Sequence, residues 1–76
     1  MRKWAVNFFD GVNVLYRCVY ASSCGFTVVD KYLLDSDEGD MLYQGKDREK
    51  VVSLMEDTGN AIQSLIDMIR AFPVNK

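Results

Sequence analysis

The sequence contains no histidine, and only two of its 76 residues are cysteines. Without histidine, the chain cannot by itself form a Ser-His or Cys-His catalytic pair. Cys18 and Cys24 have no second cysteine pair with which to complete a zinc site. Without a secretory signal, we expect both thiols to be reduced and partly buried. The plentiful groups left for chemistry are carboxylates, which would act through a divalent metal with oxygen ligands.

Long apolar runs are also missing. No stretch approaches the roughly 20 residues that a membrane-spanning helix requires. The opening sequence, "MRKWAVNFFD", begins with basic side chains but reaches Asp10 too early for a signal peptide. We therefore expect a cytoplasmic protein that does not associate with a membrane.

Chain length and composition predict one small domain over residues 1–76. Apolar residues make up 49% of the chain and aromatic residues 12%, which suits a folded core and is too rich for a disordered chain. The net charge of −2 is unevenly distributed. Residues 1–34 contain four bases and two acids, whereas residues 35–76 contain five bases and nine acids.

The pattern of side chains predicts strands first and helix afterwards. "KWAVNFF" (3–9) is short, apolar and β-rich, which is typical of a buried strand. "GFTVVDKYLL" (25–34) predicts a second strand, and an acidic turn at 35–40 leads into a short return strand at 41–44. Later in the chain, apolar side chains recur every three or four residues, which predicts helix as far as Pro73.

The helical region, residues 47–72, contains one interruption. Gly59 is a poor helix former. Asn60 and Gln63 resemble a capping box, in which the asparagine side chain would begin a new helix. One kinked helix and two short helices both agree with this sequence.

Residues 8–17, "FFDGVNVLYR", fit two incompatible structures. In a β-hairpin with a three-residue loop and Gly11 in a left-handed conformation, Trp4 would pair with Tyr16, and apolar side chains would share one face. In a helix over 12–22, apolar side chains three and four residues apart would also share one face. Periodicity alone does not choose between the hairpin and the helix.

The stretch "AVNFFDGVNVLYRCVYA" is similar to the beginning of the 5′-to-3′ exonuclease and flap endonuclease family of PIN-like nucleases. Its resemblance lies in an apolar strand followed by Asp-Gly and then by Leu-Tyr-Arg. A second stretch, "TGNAIQSLIDMIRAFPVNK" (58–76), resembles the next helix of that family. The two stretches come in the family's order and cover about half of the chain.

This resemblance implies an α/β fold. Its elements would be a strand at 3–9, a helix at about 12–22, a β-hairpin of 26–34 with 41–44, and one long kinked helix or two short helices at 47–72. The alternative fold is an antiparallel β-meander followed by a C-terminal helix, which is an α+β fold.

The resemblance also implies a nucleic-acid site. Ligands of parallel sheets bind beyond the carboxyl ends of the strands, where Asp10 would be a ligand of magnesium or manganese and Arg17 would hold a phosphate of DNA. The family's other carboxylate ligands lie on strands beyond those that this sequence matches. The implied protein is therefore a nuclease-like fragment or subunit that is inactive alone and becomes a metal-dependent 5′ nuclease only with a complementary chain.

A second hypothesis is a small non-enzymatic protein-binding module, such as a phage-type inhibitor or assembly partner. The apolar stripe over 51–72 is wider than one small sheet needs to cover, and a surplus stripe is typical of an interface. The partner would be a complementary chain or a second copy of this one. The residues predicted to contact it are Ile62, Leu65, Ile66, Ile69 and Phe72.

Overall fold

The computed structural model describes residues 1–32 and 35–75, without the side chains of 35–38. The chain forms four β-strands followed by two α-helices. In chain order, these elements are β1 (Arg2–Phe9), β2 (Val14–Ser22), β3 (Gly25–Tyr32), β4 (Asp35–Gly45), α1 (Arg48–Glu56) and α2 (Gln63–Ala71).

The strands form one antiparallel sheet in the order β1-β2-β3-β4. This is the α+β meander, so that alternative from the sequence is confirmed. The strand–helix start is not found, because residues 14–22 form β2, one of the two inner strands of the sheet. Leu15, Val19 and Ala21 are buried on one face of β2. Their odd-numbered positions follow the period of two residues that is typical of a strand.

The turn between β1 and β2 has four residues, since Phe9 pairs with Val14. The three-residue loop, with its pairing of Trp4 and Tyr16, is therefore wrong. The Asp10 side chain explains the longer loop: its Oδ1 atom accepts hydrogen bonds from the backbone N–H groups of Val12 at 2.8 Å and Asn13 at 2.7 Å.

The acidic segment 35–40 was expected to be a turn, but it lies within β4. Asp40 pairs with Asp30, and Tyr32 pairs with Asp35. Pairing along the whole edge of β3 thus outweighs the low strand propensity of aspartate and glycine. The expected strand at 41–44 is confirmed as the end of β4. Residues 33–34, the predicted end of the preceding strand, lie outside the described residues.

The helical region consists of two helices rather than one kinked helix. Gly59 adopts a φ of +75° between them. The expected capping box is wrong, because α2 begins after Ile62 and has no side-chain cap. The Asn60 side chain instead donates a hydrogen bond of 2.7 Å from Nδ2 to the carbonyl oxygen of Asn7 in β1.

Both helices pack on the same face of the sheet. Core side chains on that face come from alternate positions of β1, β2 and β3, which agrees with the pleat of a sheet. The other face has no helix packed on it in the described structure, and we call it the open face. The buried core consists of Trp4, Val6, Val19, Ala21, Phe26, Val28, Val51, Val52, Met55, Leu65, Ile66 and Ile69.

Neither α1 nor α2, the helices of the described chain, has the length and apolar character needed to span a bilayer.

We predict that Gly25→Ala destabilises the fold far more than Gly59→Ala. Gly25 has a φ of +133°, and an added Cβ atom would lie 2.6 Å from the carbonyl oxygen of Gly45. Gly59 has positive φ but no atom within 4 Å of its Cβ position. Backbone strain alone costs about 1 kcal/mol, and the clash should bring the loss at Gly25 to about 3 kcal/mol. Urea unfolding measures the free energy of unfolding of both variants. Equal losses of stability would contradict the pairing of β3 with β4.

Candidate functional site

Asp10, the predicted metal ligand, lies in the exposed turn between β1 and β2. Hydrogen bonds from the N–H groups of Asn13 and Val12 lower the pKa of its carboxyl group below the usual value. Among the residues that the structure describes, no three acidic or thiol side chains come together as a metal would require. The carboxylate is engaged in forming the turn, and this geometry gives no support to a magnesium or manganese site.

Arg17, the predicted phosphate ligand, is held by partners within the chain. Its Nε and Nη2 atoms donate to the two carboxylate oxygens of Asp30 at 2.7 and 2.9 Å. Its Nη1 atom donates to the Leu54 carbonyl oxygen at 2.6 Å, and its guanidinium lies 4.9 Å from the ring centroid of Phe8. The two charged side chains are only 12% and 13% exposed. Arg17 therefore ties β2 to β3 and α1 rather than facing a nucleic acid.

Most of the predicted partner interface belongs to the core. Leu65, Ile66 and Ile69 are buried between α2 and the sheet, which makes them unavailable to a partner. Ile62 is 65% exposed. Phe72 is half-buried, and its ring makes an edge-to-face contact with Trp4 at a centroid distance of 5.8 Å.

β1 is an edge strand of the sheet. The Asp10 N–H group donates to the Asn13 carbonyl oxygen at 3.1 Å across the hairpin. Because hydrogen-bonded pairs alternate in an antiparallel ladder, even-numbered residues of β1 direct their main-chain groups toward β2. Odd-numbered residues direct theirs outward. The main-chain groups of Lys3 and Ala5 therefore lie on the free edge, while Asn60 already occupies the outward carbonyl of Asn7.

An open groove of about 310 Å³ lies between the beginning of β1 and the end of α2. We call it the edge groove, and its lining is mainly apolar. The Arg2 guanidinium lies 5.5 Å from the Trp4 ring centroid, and its Nη2 atom is 3.5 Å from the Met68 sulfur, which is a weak acceptor. The groove is lined by Arg2, Trp4, Met68, Ala71, Phe72 and Pro73.

Trp4, which lines the edge groove, has an unsatisfied donor. Its side chain is only 7% exposed, and its indole Nε1 atom is buried without a hydrogen-bond partner in the described chain. An unpaired buried donor costs roughly 1–3 kcal/mol. The groove therefore combines apolar walls and one cation, and one of its lining residues holds a donor that lacks an acceptor in the described chain.

The open face presents a row of polar side chains across all four strands. Lys3 lies opposite Tyr20, Tyr20 opposite Thr27, and Thr27 opposite Gln44. The ammonium group of Lys3 is 5.5 Å from the ring centroid of Tyr20. Gln44 Nε2 donates to Thr27 Oγ1 at 3.5 Å. A cation, an aromatic ring and two hydrogen-bonding groups thus lie side by side.

Lys31 joins this row from farther along the sheet. It pairs with Tyr16, yet its Nζ atom donates to the Tyr20 hydroxyl at 3.3 Å. That hydrogen bond raises the pKa of Lys31, so the group is charged at neutral pH. Cys18 lies on β2 between the two tyrosines; it is fully buried, and burial raises the pKa of its thiol. Both cysteines are free thiols, as expected, but Cys24 is exposed.

A second concavity, of about 300 Å³, opens beside Tyr20 at the end of the sheet where β2 turns into β3. Its lining includes the hydroxyl-bearing residues Ser22 and Thr27, the amide of Gln44 and the thiol-bearing residue Cys24. Hydrogen-bonding groups and an aromatic ring therefore border one recess, next to two lysines.

Trp4, Lys3, Tyr20 and Lys31 were not identified as site residues from the sequence. The alternation of Tyr16, Cys18 and Tyr20 could have placed the tyrosines on one face, but only after a strand had been chosen for 14–22. The approach of Lys31 to Tyr20 depends on the pairing of β2 with β3, which no local pattern contains.

Comparison with protein-family models, curated proteins and solved structures found no match. Membership of the nuclease family therefore stays a prediction. The resemblance to that family requires Asp10 to lie at the carboxyl end of a parallel strand that is followed by a helix. Here Asp10 follows an antiparallel edge strand, and β2 comes next. The function must be argued from the geometry of this chain.

We predict that Asp10 makes stability depend on pH. The lowered pKa means that folding favours the charged carboxylate. The contribution of the carboxylate to stability is therefore complete above the unfolded pKa of about 4 and is lost as pH falls through the folded pKa. Asp10→Asn should keep the turn and lack this acid-dependent loss, whereas Asp10→Ala should destabilise the hairpin at every pH. Thermal unfolding at neutral and acid pH measures all three proteins. Identical profiles for wild type and Asp10→Asn would contradict the assignment.

We predict that Arg17→Met destabilises the fold by about 2–3 kcal/mol, because the Asp30 carboxylate is left mostly buried without its partner. The double variant Arg17→Met/Asp30→Leu should recover most of that loss. Arg70→Met, which breaks the exposed pair with Glu49, is the matched control and should have little effect. Chemical unfolding measures the series. An Arg17→Met loss as small as the control's would free Arg17 for a role in binding.

Proposed function

We propose that this protein is a non-enzymatic protein-binding module that adds an extended acidic segment of a partner protein to the edge of β1. The observation that carries the proposal is an apolar groove beside free main-chain groups, lined by Trp4, whose buried Nε1 atom is unpaired in the described chain. In strand addition, main-chain hydrogen bonds supply affinity and pockets for alternate side chains supply specificity. The outward groups of Lys3 and Ala5 would make the main-chain bonds, and the edge groove would receive a side chain.

The charge at the edge groove favours an acidic segment. Arg2 has only the Met68 sulfur as a hydrogen-bond acceptor in the described chain, and Trp4 Nε1 has none. A carboxylate can accept from a guanidinium and an indole N–H at once, and a hydrogen bond to a charged group is roughly twice as strong as a neutral one. The apolar walls from Met68 and Phe72 suit an aliphatic side chain next to that carboxylate.

The length of the free edge favours a short segment over a second copy of β1. Asn60 occupies the outward carbonyl of Asn7, so an added strand can pair only with the first half of β1. A full-length antiparallel pairing of two β1 strands would have to displace Asn60 in both copies. The partner is therefore a different protein, in keeping with the inhibitor or assembly-partner hypothesis. A cytoplasmic location is part of the same proposal.

The nuclease-like function is the weaker candidate. It needs Asp10 to face a metal and Arg17 to face a phosphate, and both side chains are engaged within the chain. The edge of β1 and its groove need no completion by further residues, so we base the proposed function on them.

A peptide titration tests the proposal. The probe is a short synthetic peptide of alternating valine and aspartate, blocked at both ends. Trp4 is the only tryptophan, so its emission reports binding at the groove directly. We expect binding that weakens about tenfold when lysine replaces aspartate, and about tenfold when alternate peptide amides are N-methylated, since each change removes one or two hydrogen bonds.

Two protein variants complete the test. Ala5→Pro removes an outward N–H group, which proline can do at an edge position without breaking the ladder to β2, and it should abolish peptide binding. Trp4→Phe removes the unpaired donor and keeps an aromatic ring, so it should weaken binding, measured by calorimetry, without a large loss of stability. If N-methylated and unmodified peptides bind equally, strand addition at β1 is wrong. If the unmodified peptide does not bind at all, the proposed function is wrong.

A further inference from the structure

We propose that the open face is a second binding site, separate from the edge groove, and that its ligand is single-stranded nucleic acid. Tyr20 would stack on a base, while Lys3 and Lys31 would hold the two neighbouring phosphates. The site uses side chains on the face opposite to the helices, whereas the added peptide uses the main-chain edge of β1 and the edge groove.

The phosphate position follows from the two ammonium groups around one ring. Lys3 and Lys31 lie 5.5 and 5.9 Å from the Tyr20 ring centroid. Two like charges that share one ring repel each other, and a bound anion relieves that repulsion. Among the open-face side chains that the structure describes, these lysines bring two positive charges and no carboxylate accompanies them. The described charges of this row are therefore positive, and an anion complements them.

The base position follows from the recess beside Tyr20. A volume of about 300 Å³ is at the lower end of the range for small-molecule sites, and it suits a planar base. Thr27 and Gln44 offer a hydroxyl and an amide on one side of the recess, and these groups can contact the edge of a base. This row therefore matches the parts of a nucleotide: the ring can stack on the base, the hydrogen-bonding groups can contact the edge of the base, and the two cations can contact phosphate.

The extent of the aromatic surface favours a strand over a free nucleotide. Tyr20, Tyr16 and Phe9 follow one another down the open face, and Phe9 is exposed. Stacking platforms of this kind bind successive bases with little sequence preference. Lysine is depleted at protein–protein interfaces. The two lysines beside Tyr20 therefore favour a phosphate over an acidic protein as the ligand. Only two phosphates are contacted, which predicts weak affinity, with a dissociation constant of about 10⁻⁴ M.

Fluorescence anisotropy with labelled oligothymidylate tests this proposal. We expect binding at low salt with a slope of log K against log salt of about −1.4, since each of two contacts to a single strand contributes about 0.7. Lys31→Gln should weaken binding several-fold and reduce the slope by about 0.7. Lys50→Gln, an exposed lysine on α1, is the matched control and should change neither. Tyr20→Leu should weaken binding about tenfold through lost stacking.

Competition experiments decide the nature of the ligand. Unlabelled single strands should displace the probe, whereas thymidine monophosphate and a duplex of the same length should displace it poorly. Displacement by polyglutamate as effective as that by the unlabelled strand would identify an acidic protein surface instead and overturn the proposal. So would a loss of affinity in Lys50→Gln equal to that in Lys31→Gln, or no binding at all at low salt.

Discussion

The Asp10 carboxylate accepts hydrogen bonds from two backbone N–H groups of its own turn, and this contact holds the β1–β2 loop at four residues. Changing the length of that loop by one residue would exchange the two faces of β2. In a three-residue loop, Tyr16 and Tyr20 would lie under the helices, and Val19 and Ala21 would face outward. With four residues, the small apolar side chains fill the core and the tyrosines remain on the open face. The core and both candidate surfaces depend on this one register.

Part of the fold could be predicted from the sequence. The strand at 3–9, the β-rich segment from 25 and the break at Gly59 all follow from local composition. Residues 12–22 could not be assigned in this way, because their apolar side chains fit periods of both two and three to four. Pairing with β1 on one side and β3 on the other decided the outcome, and such non-local contacts leave no local signature.

The candidate sites were harder to predict than the fold for the same reason. Arg17 was predicted to hold a phosphate, but its partner Asp30 lies 13 positions away and reaches it only through the β2–β3 register. Asp10 was predicted to hold a metal, whereas its carboxylate accepts hydrogen bonds within its own turn. Asn60 was assigned to a helix cap, whereas its side chain reaches a strand 53 positions earlier in the chain. For Arg17 and Asn60 the residue type indicated a polar contact, and only the tertiary structure identified the partner.

The acidic side chains of the helices lie behind the open face rather than on it. Glu49, Glu56 and Asp67 lie on the helices, and Asp30 is neutralised by Arg17. The smallest dimension of the molecule is 16 Å, about twice the Debye length of about 8 Å at physiological ionic strength. Charges on the helices are therefore largely screened at the open face, while Lys3 and Lys31 act at contact distance. At low salt the screening weakens and the net negative charge opposes the approach of any polyanion. The open face should consequently show a shallower gain in affinity at very low salt than its two lysines alone would give, because the acidic helices begin to act on the same ligand.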